Sequence, residues 1–97
     1  MDTTRAQSLM YQLLGLMKEK GGSDLFITAG FAPAIKFSGK LTPVSKSILS
    51  AEESAALVHA LMNDVQRAEF NETHECNFAV SPQGIGRFRV SAFMQQA

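Results

Sequence analysis

A chain of 97 residues with 45% hydrophobic and 19% charged residues fits one folded domain and excludes a disordered polymer. Nine basic residues balance nine acidic ones, which excludes a global field that would hold nucleic acid or an anionic membrane. The single cysteine, Cys76, excludes an internal disulfide framework and favours a reducing compartment. No apolar run reaches the roughly 18 to 20 residues that span a bilayer, and the N-terminus lacks the pattern of a signal peptide. We therefore expect a cytoplasmic protein.

The first predicted element is an amphipathic helix over residues 2–20. Its apolar residues recur at spacings of three and four, as one helix face requires: Ala6, Leu9, Met10, Leu13, Leu14 and Met17. Asp2, Thr3 and Thr4 offer N-cap oxygens, and Gly21 or Gly22 can take the left-handed conformation that ends a helix. The glycines of "EKGGSDLFITAG" are therefore interpreted as helix termination.

Short strands follow the helix. Residues 24–29 alternate, with Leu25 and Ile27 on one face of a strand and Phe26 on the other. "AIKFS" and "LTPV" are typical of two strands around a Ser38-Gly39 hairpin turn, and Pro43 confines the second to a sheet edge or a strand end.

Two further helices and two strands complete the chain. Ser50 and Glu53 form a capping box that begins the second helix. Asn63 or Asp64 begins the third, which we expect Val65 and Phe70 to anchor. Strands near 75–81 and 86–94 flank the turn "PQGIG". This order predicts an α+β domain with an antiparallel sheet and segregated helices, because the connections are too short for parallel crossovers.

The glycine-rich stretch does not have the form of a phosphate loop. A P-loop runs from a strand through glycines into a helix and ends in lysine and serine or threonine. Here the order is helix, glycine, strand, and no such lysine follows. Asp24 is instead interpreted as a loop cap that accepts backbone amides at the strand entry.

A metal site is equally unsupported. His74 and Cys76 lie two residues apart, but zinc needs three or four ligands and only His59 remains as a further histidine. On a strand Cys76 shares a face with Phe78 and Val80, which predicts a small core residue.

The motif "GRFRVSAF" is the strongest candidate site. Arg87 and Arg89 share one strand face, and such a pair can grip phosphate or carboxylate in a bidentate way. The alternative is a solvated sheet face with cross-strand pairing, to Glu75 or another acid. RNA binding is a weaker option, because the net charge is zero and Phe88 faces the core side.

Three blocks carry a resemblance that covers essentially the whole chain: "GGSDLFITAG", "HECNFAVS" and "GIGRFRVSAF". In this order and spacing they resemble the N-terminal domain of the type IV pilus retraction ATPases, the PilT/PilU family of secretion-type ATPases. Phe26 stands where PilT-like sequences usually carry histidine, which favours the PilU branch.

The resemblance implies a PAS-like α+β domain, residues 1–97, that precedes a RecA-like motor domain in a hexameric ATPase for pilus retraction and twitching motility. The Walker motifs of that family match nothing here, so we expect ATP and Mg²⁺ in the full-length parent and no catalysis by this portion alone. By motif position, Arg87 and Arg89 would approach the nucleotide phosphates.

The implied partners are its own and neighbouring motor domains, a paralogous retraction ATPase and the inner-membrane platform of the pilus machine, with no nucleic acid. A free-standing PAS-like sensor of a small ligand is the alternative. A sensor requires a cavity with convergent polar groups, whereas the predicted inner faces are apolar.

Overall fold

Helix α1 covers Thr3–Lys20 in the computed structural model, which describes residues 2–81, 84, 86 and 88–93. The Asp2 carboxylate accepts a hydrogen bond of 2.7 Å from the Arg5 amide and caps the helix. Gly21 ends it in the left-handed conformation, with φ 75°. Gly22 is required for a different reason, since a Cβ there would lie 2.5 Å from Ile35 Cγ2. The predicted glycine C-cap is therefore confirmed at Gly21, whereas Gly22 makes room for Ile35.

Five strands form one sheet in the order β3-β2-β1-β5-β4. They are β1 (Asp24–Thr28), β2 (Ala34–Phe37), β3 (Lys40–Pro43), β4 (Glu75–Val80) and β5 (Phe88–Phe93). Ser38 and Gly39 form the predicted hairpin turn with φ 51° and 76°, the positive values that a two-residue turn needs. Pro43 ends the edge strand β3, as its missing amide predicts.

The α+β class is confirmed, but the sheet is mixed and the prediction of an antiparallel sheet is wrong in one pairing. β1 and β5 run parallel, with Leu25 opposite Val90, while the other three pairings are antiparallel. The prediction rested on the short loops that join β1 to β2, β2 to β3 and β4 to β5. β1 and β5 are instead connected through all the elements between them, which is ample for a parallel pair.

Helices α2 (Ala51–His59) and α3 (Asp64–Thr73) both begin at capping boxes. The predicted Ser50–Glu53 box is present, and Asn63 pairs with Gln66 in the same way. Phe70 anchors α3 as predicted, at 1% exposure, but Val65 does not, at 76%. Five residues correspond to about 140° of helix rotation, so Val65 and Phe70 cannot face the same core.

The hydrophobic core lies on one face of the sheet, under residues from all three helices. On the strands it takes every second residue, including Leu25, Val90 and, as the sequence predicts, Cys76 and Phe78. The residues between them, such as Phe26 and Arg89, lie on the opposite face, which we call the open face. Within the described part of the chain, no helix combines the length and apolarity needed to cross a membrane.

Candidate functional site on the open sheet face

Asp24 and Arg89 lie side by side on the open face because β1 and β5 pair with these two residues in register. Arg89 Nε donates a hydrogen bond of 2.7 Å to Asp24 Oδ1. The other carboxylate oxygen, Oδ2, accepts a hydrogen bond of 2.7 Å from Ser23 Oγ. The Arg89 amide also donates to the Ser23 carbonyl at 3.2 Å, so backbone and side chains fix the same corner of the sheet.

The two charged side chains differ greatly in exposure. The Asp24 side chain is 11% exposed, whereas that of Arg89 is 69% exposed. Among the described residues, the Arg89 guanidinium forms hydrogen bonds only through Nε. Its two terminal nitrogens therefore form a planar fork at the surface, a geometry that suits two oxygens of a phosphate or carboxylate.

The environment keeps Asp24 ionised. The hydrogen bond from Ser23 is the largest cause that lowers the pKa of Asp24, and the hydrogen bond from Arg89 follows. The positive charges of Arg89 and Lys36 lower this pKa further, while burial opposes them. The carboxylate is consequently negative at neutral pH and holds the arginine as a full ion pair.

The structure changes the interpretation of three residues singled out from the sequence. Asp24 is not a cap for backbone amides, because its two oxygens accept from the side chains of Ser23 and Arg89. The cross-strand acid is Asp24 and not Glu75, which lies opposite Phe93. Arg87, the second predicted arginine, lies outside the described residues. The sequence could not identify Asp24 as the partner, since the parallel pairing of distant strands leaves no local signal.

An apolar patch lies next to this ion pair on the same face. It lines a groove of about 350 Å³ formed by Phe26, Thr28, Phe31, Ala32, Ala34, Leu41 and Pro43. Phe31 and Leu41 are 57% and 58% exposed, and Phe93, the neighbour of Thr28 on β5, is 46% exposed. Phe26 follows Asp24 by two positions on β1, so the patch begins about 7 Å along the strand from the ion pair. We call these groove residues the Phe26 patch.

The contacts of His59, His74 and Cys76 indicate structural roles for these residues. His59 Nε2 lies 3.1 Å from Asn71 Oδ1, and its ring packs edge-on against Phe70. His74 occupies the left-handed C-cap of α3, with φ 63°. Burial raises the pKa of the Cys76 thiol. No group of three or more metal-ligating side chains comes together in residues 2–81, 84, 86 and 88–93.

Comparison with known proteins connects this fold to pilus motors. The type IV pilus ATPase PilU of Pseudomonas aeruginosa is 59% identical over 85 residues, which is 88% of this chain and 22% of PilU. The type IV pilus retraction ATPase PilT of the same bacterium is 37% identical over 84 residues, 87% of this chain and 24% of PilT. No protein-family model matches the chain.

A solved structure shares the fold. The crystal structure of the pilus retraction motor PilT with bound ADP superposes with a TM-score of 0.60 at 30% identity, covering 78% of this chain and 23% of that one. This chain belongs to the PilT/PilU family of type IV pilus ATPases and matches their N-terminal part. It spans less than a quarter of the length of PilU and PilT. The higher identity to PilU agrees with the expectation drawn from Phe26.

Proposed function

We propose that this chain is a PAS-like N-terminal domain that helps to assemble and regulate a hexameric, ATP-driven motor for type IV pilus retraction and twitching motility. One observation carries the proposal. The sheet has one face covered by its own helices, while the other presents the Phe26 patch beside a fixed, exposed arginine. An apolar surface next to an oriented cation suits contact with another domain that carries a phosphate ligand.

The Phe26 patch supports the assembly role. Large apolar side chains grouped on one exposed surface mark interaction sites more often than chance exposure does. Phe31 and Leu41 are each more than half exposed, and both line the same groove. The occupant we propose is a motor domain, its own or that of a neighbouring subunit. Relatives about four times as long as this chain provide room for such a domain.

The exposed fork of Arg89 supports the regulatory role. We assign Arg89, and by motif position Arg87, to contact nucleotide phosphates or the motor domain across a cleft. An arginine that meets a transferring phosphoryl group accelerates transfer by about 10³ to 10⁵, whereas one that only closes the cleft contributes less. In the full-length protein, ATP and Mg²⁺ would be held by motor-domain motifs, and this domain would supply the arginines from outside.

We place the full-length motor in the cytoplasm at the inner-membrane platform of the pilus machine, with a paralogous retraction ATPase as its companion. The names of the relatives, a pilus ATPase and a pilus retraction ATPase, support the link to the pilus machine.

The test is ATP turnover by the full-length protein with Arg89→Ala. We expect at least a tenfold loss of turnover, with Arg89→Lys intermediate because lysine keeps the charge and loses the planar fork. Arg87→Ala is tested in the same way. Lys36→Ala is the matched control, since Lys36 is an exposed cation beside Asp24 on the neighbouring strand. Unchanged turnover in both arginine variants would contradict the regulatory role. A loss in Lys36→Ala as large as that in Arg89→Ala would show that turnover depends on the positive charge of this surface and not on the arginine itself.

A further inference from the structure

Asp24 holds Arg89 in an unusual way for a surface ion pair. Arginine pairs with carboxylates most favourably when two nitrogens meet two oxygens. Here Asp24 uses one oxygen on Nε, and its second oxygen is taken by Ser23. The contact therefore holds the guanidinium through Nε and leaves both terminal nitrogens without a hydrogen-bond partner among the described residues.

We propose that Asp24, supported by Ser23, is a positioning residue that holds the Arg89 fork ready for a phosphate-bearing ligand. This inference rests on the proposed role of Arg89. An unrestrained arginine loses considerable rotamer entropy when it binds, and a restrained one has already lost much of it. Since a misplacement of about 1 Å can cost about 100-fold in rate, orientation of the fork by Asp24 affects turnover through Arg89.

The surroundings favour a positioning role over a stabilising one. A pair in which one partner is 69% exposed contributes little to folding. The sheet corner is already fixed by the backbone bond from Arg89 to Ser23 and by the β1–β5 ladder. A shallow depression of about 370 Å³ lies at the pair, lined by Ser23, Asp24, Ala79, Phe88 and Arg89, and leaves space for a ligand group.

The test uses steady-state ATP turnover by the full-length protein with Asp24→Ala, Asp24→Asn, Arg89→Ala and the double variant Asp24→Ala with Arg89→Ala. We expect Asp24→Ala to lower kcat by about tenfold through loss of orientation, while the KM for ATP changes less than about twofold. Asp24→Asn should retain more activity, because its amide oxygen can still accept from Nε. Asn77→Ala, an exposed polar residue of the same face opposite Ser91, is the control and should match wild type.

The double variant separates the hypotheses. If Asp24 acts through Arg89, adding Asp24→Ala to Arg89→Ala causes no further loss. If Arg89→Ala lowers turnover and Asp24→Ala does not, the positioning role is wrong and the proposed function stands. If Arg89→Ala has no effect, the proposed regulatory role fails and the positioning role fails with it. Additive losses that follow a fall in melting temperature would make Asp24 a structural residue and would also overturn the inference.

Discussion

Asp24 and Arg89 form a hydrogen-bonded ion pair between β1 and β5, the one parallel pairing among the described strands. The pair joins residues 65 positions apart and lies on the face of the sheet that the helices leave uncovered. The oriented arginine of this pair and the adjoining Phe26 patch both lie outside the hydrophobic core of the domain.

The contribution of Asp24 to stability should depend on pH. Its pKa in the folded protein is lowered, first by the Ser23 hydrogen bond and then by Arg89. A lowered folded pKa adds stability above the unfolded pKa, and this contribution is lost as the pH falls through the folded pKa. For a pair this exposed we expect about 0 to 1 kcal/mol at neutral pH. Urea unfolding of wild type and Asp24→Asn should differ at neutral pH and converge in acid, once the pH has fallen through the lowered pKa of folded Asp24. A difference of the same size at neutral and acid pH would contradict this assignment.

Ser54 of α2 and Ser50, the N-cap of the same helix, should respond to alanine in opposite directions. Ser54 is 1% exposed, and its hydroxyl has no hydrogen-bond partner among the described residues. Because an unsatisfied buried polar group costs about 1 to 3 kcal/mol, Ser54→Ala should raise the free energy of unfolding by about 1 kcal/mol. Ser50→Ala removes the N-cap and should lower it by about 0.5 to 2 kcal/mol. Thermal or urea melts of both variants measure this contrast, and a loss in Ser54→Ala would show that the hydroxyl has a stabilising partner.

Two glycines should also differ in sign. A Cβ at Gly22 would meet Cγ2 of Ile35, a fully buried and β-branched side chain with little freedom to move. We expect Gly22→Ala to cost about 1 to 3 kcal/mol as overpacking. Gly15 lies inside α1 with nothing within 4 Å of its added Cβ, so Gly15→Ala should stabilise by about 0.5 to 1 kcal/mol. Equal melts for the two variants would show that Ile35 yields to the new methyl group.

The core prediction concerns Phe78, which is 6% exposed and lies opposite the fully buried Val90. Phe78→Ala should cost about 3 to 5 kcal/mol, since it removes a large side chain from a packed core. Its neighbour Asn77 faces the other way, and Asn77→Ala should stay within about 0.5 kcal/mol of wild type. Unfolding by urea, with the same m-value for both variants, provides the comparison.

Local signals predicted most of the fold, whereas pairing between distant strands required the structure. The capping box at Ser50, the Ser38-Gly39 turn and the alternation of β5 are each determined by a few adjacent residues. Placement of β5 beside β1 depends on packing across the whole sheet, and the partner of Arg89 follows from that placement. Arg89 could therefore be identified as a candidate, but neither Asp24 nor the Phe26 patch beside it could.

Sedimentation of the full-length protein with Leu41→Asp tests most directly whether the open face is an assembly surface. Leu41 is 58% exposed on the edge strand, so a carboxylate there should leave the domain folded while it opposes apolar docking. Ile48→Asp is the matched control, because Ile48 is 68% exposed and does not line the Phe26 patch. The proposal predicts that Leu41→Asp shifts the hexamer to smaller species and that Ile48→Asp does not. A hexamer that persists unchanged in Leu41→Asp would contradict the assembly role of this face.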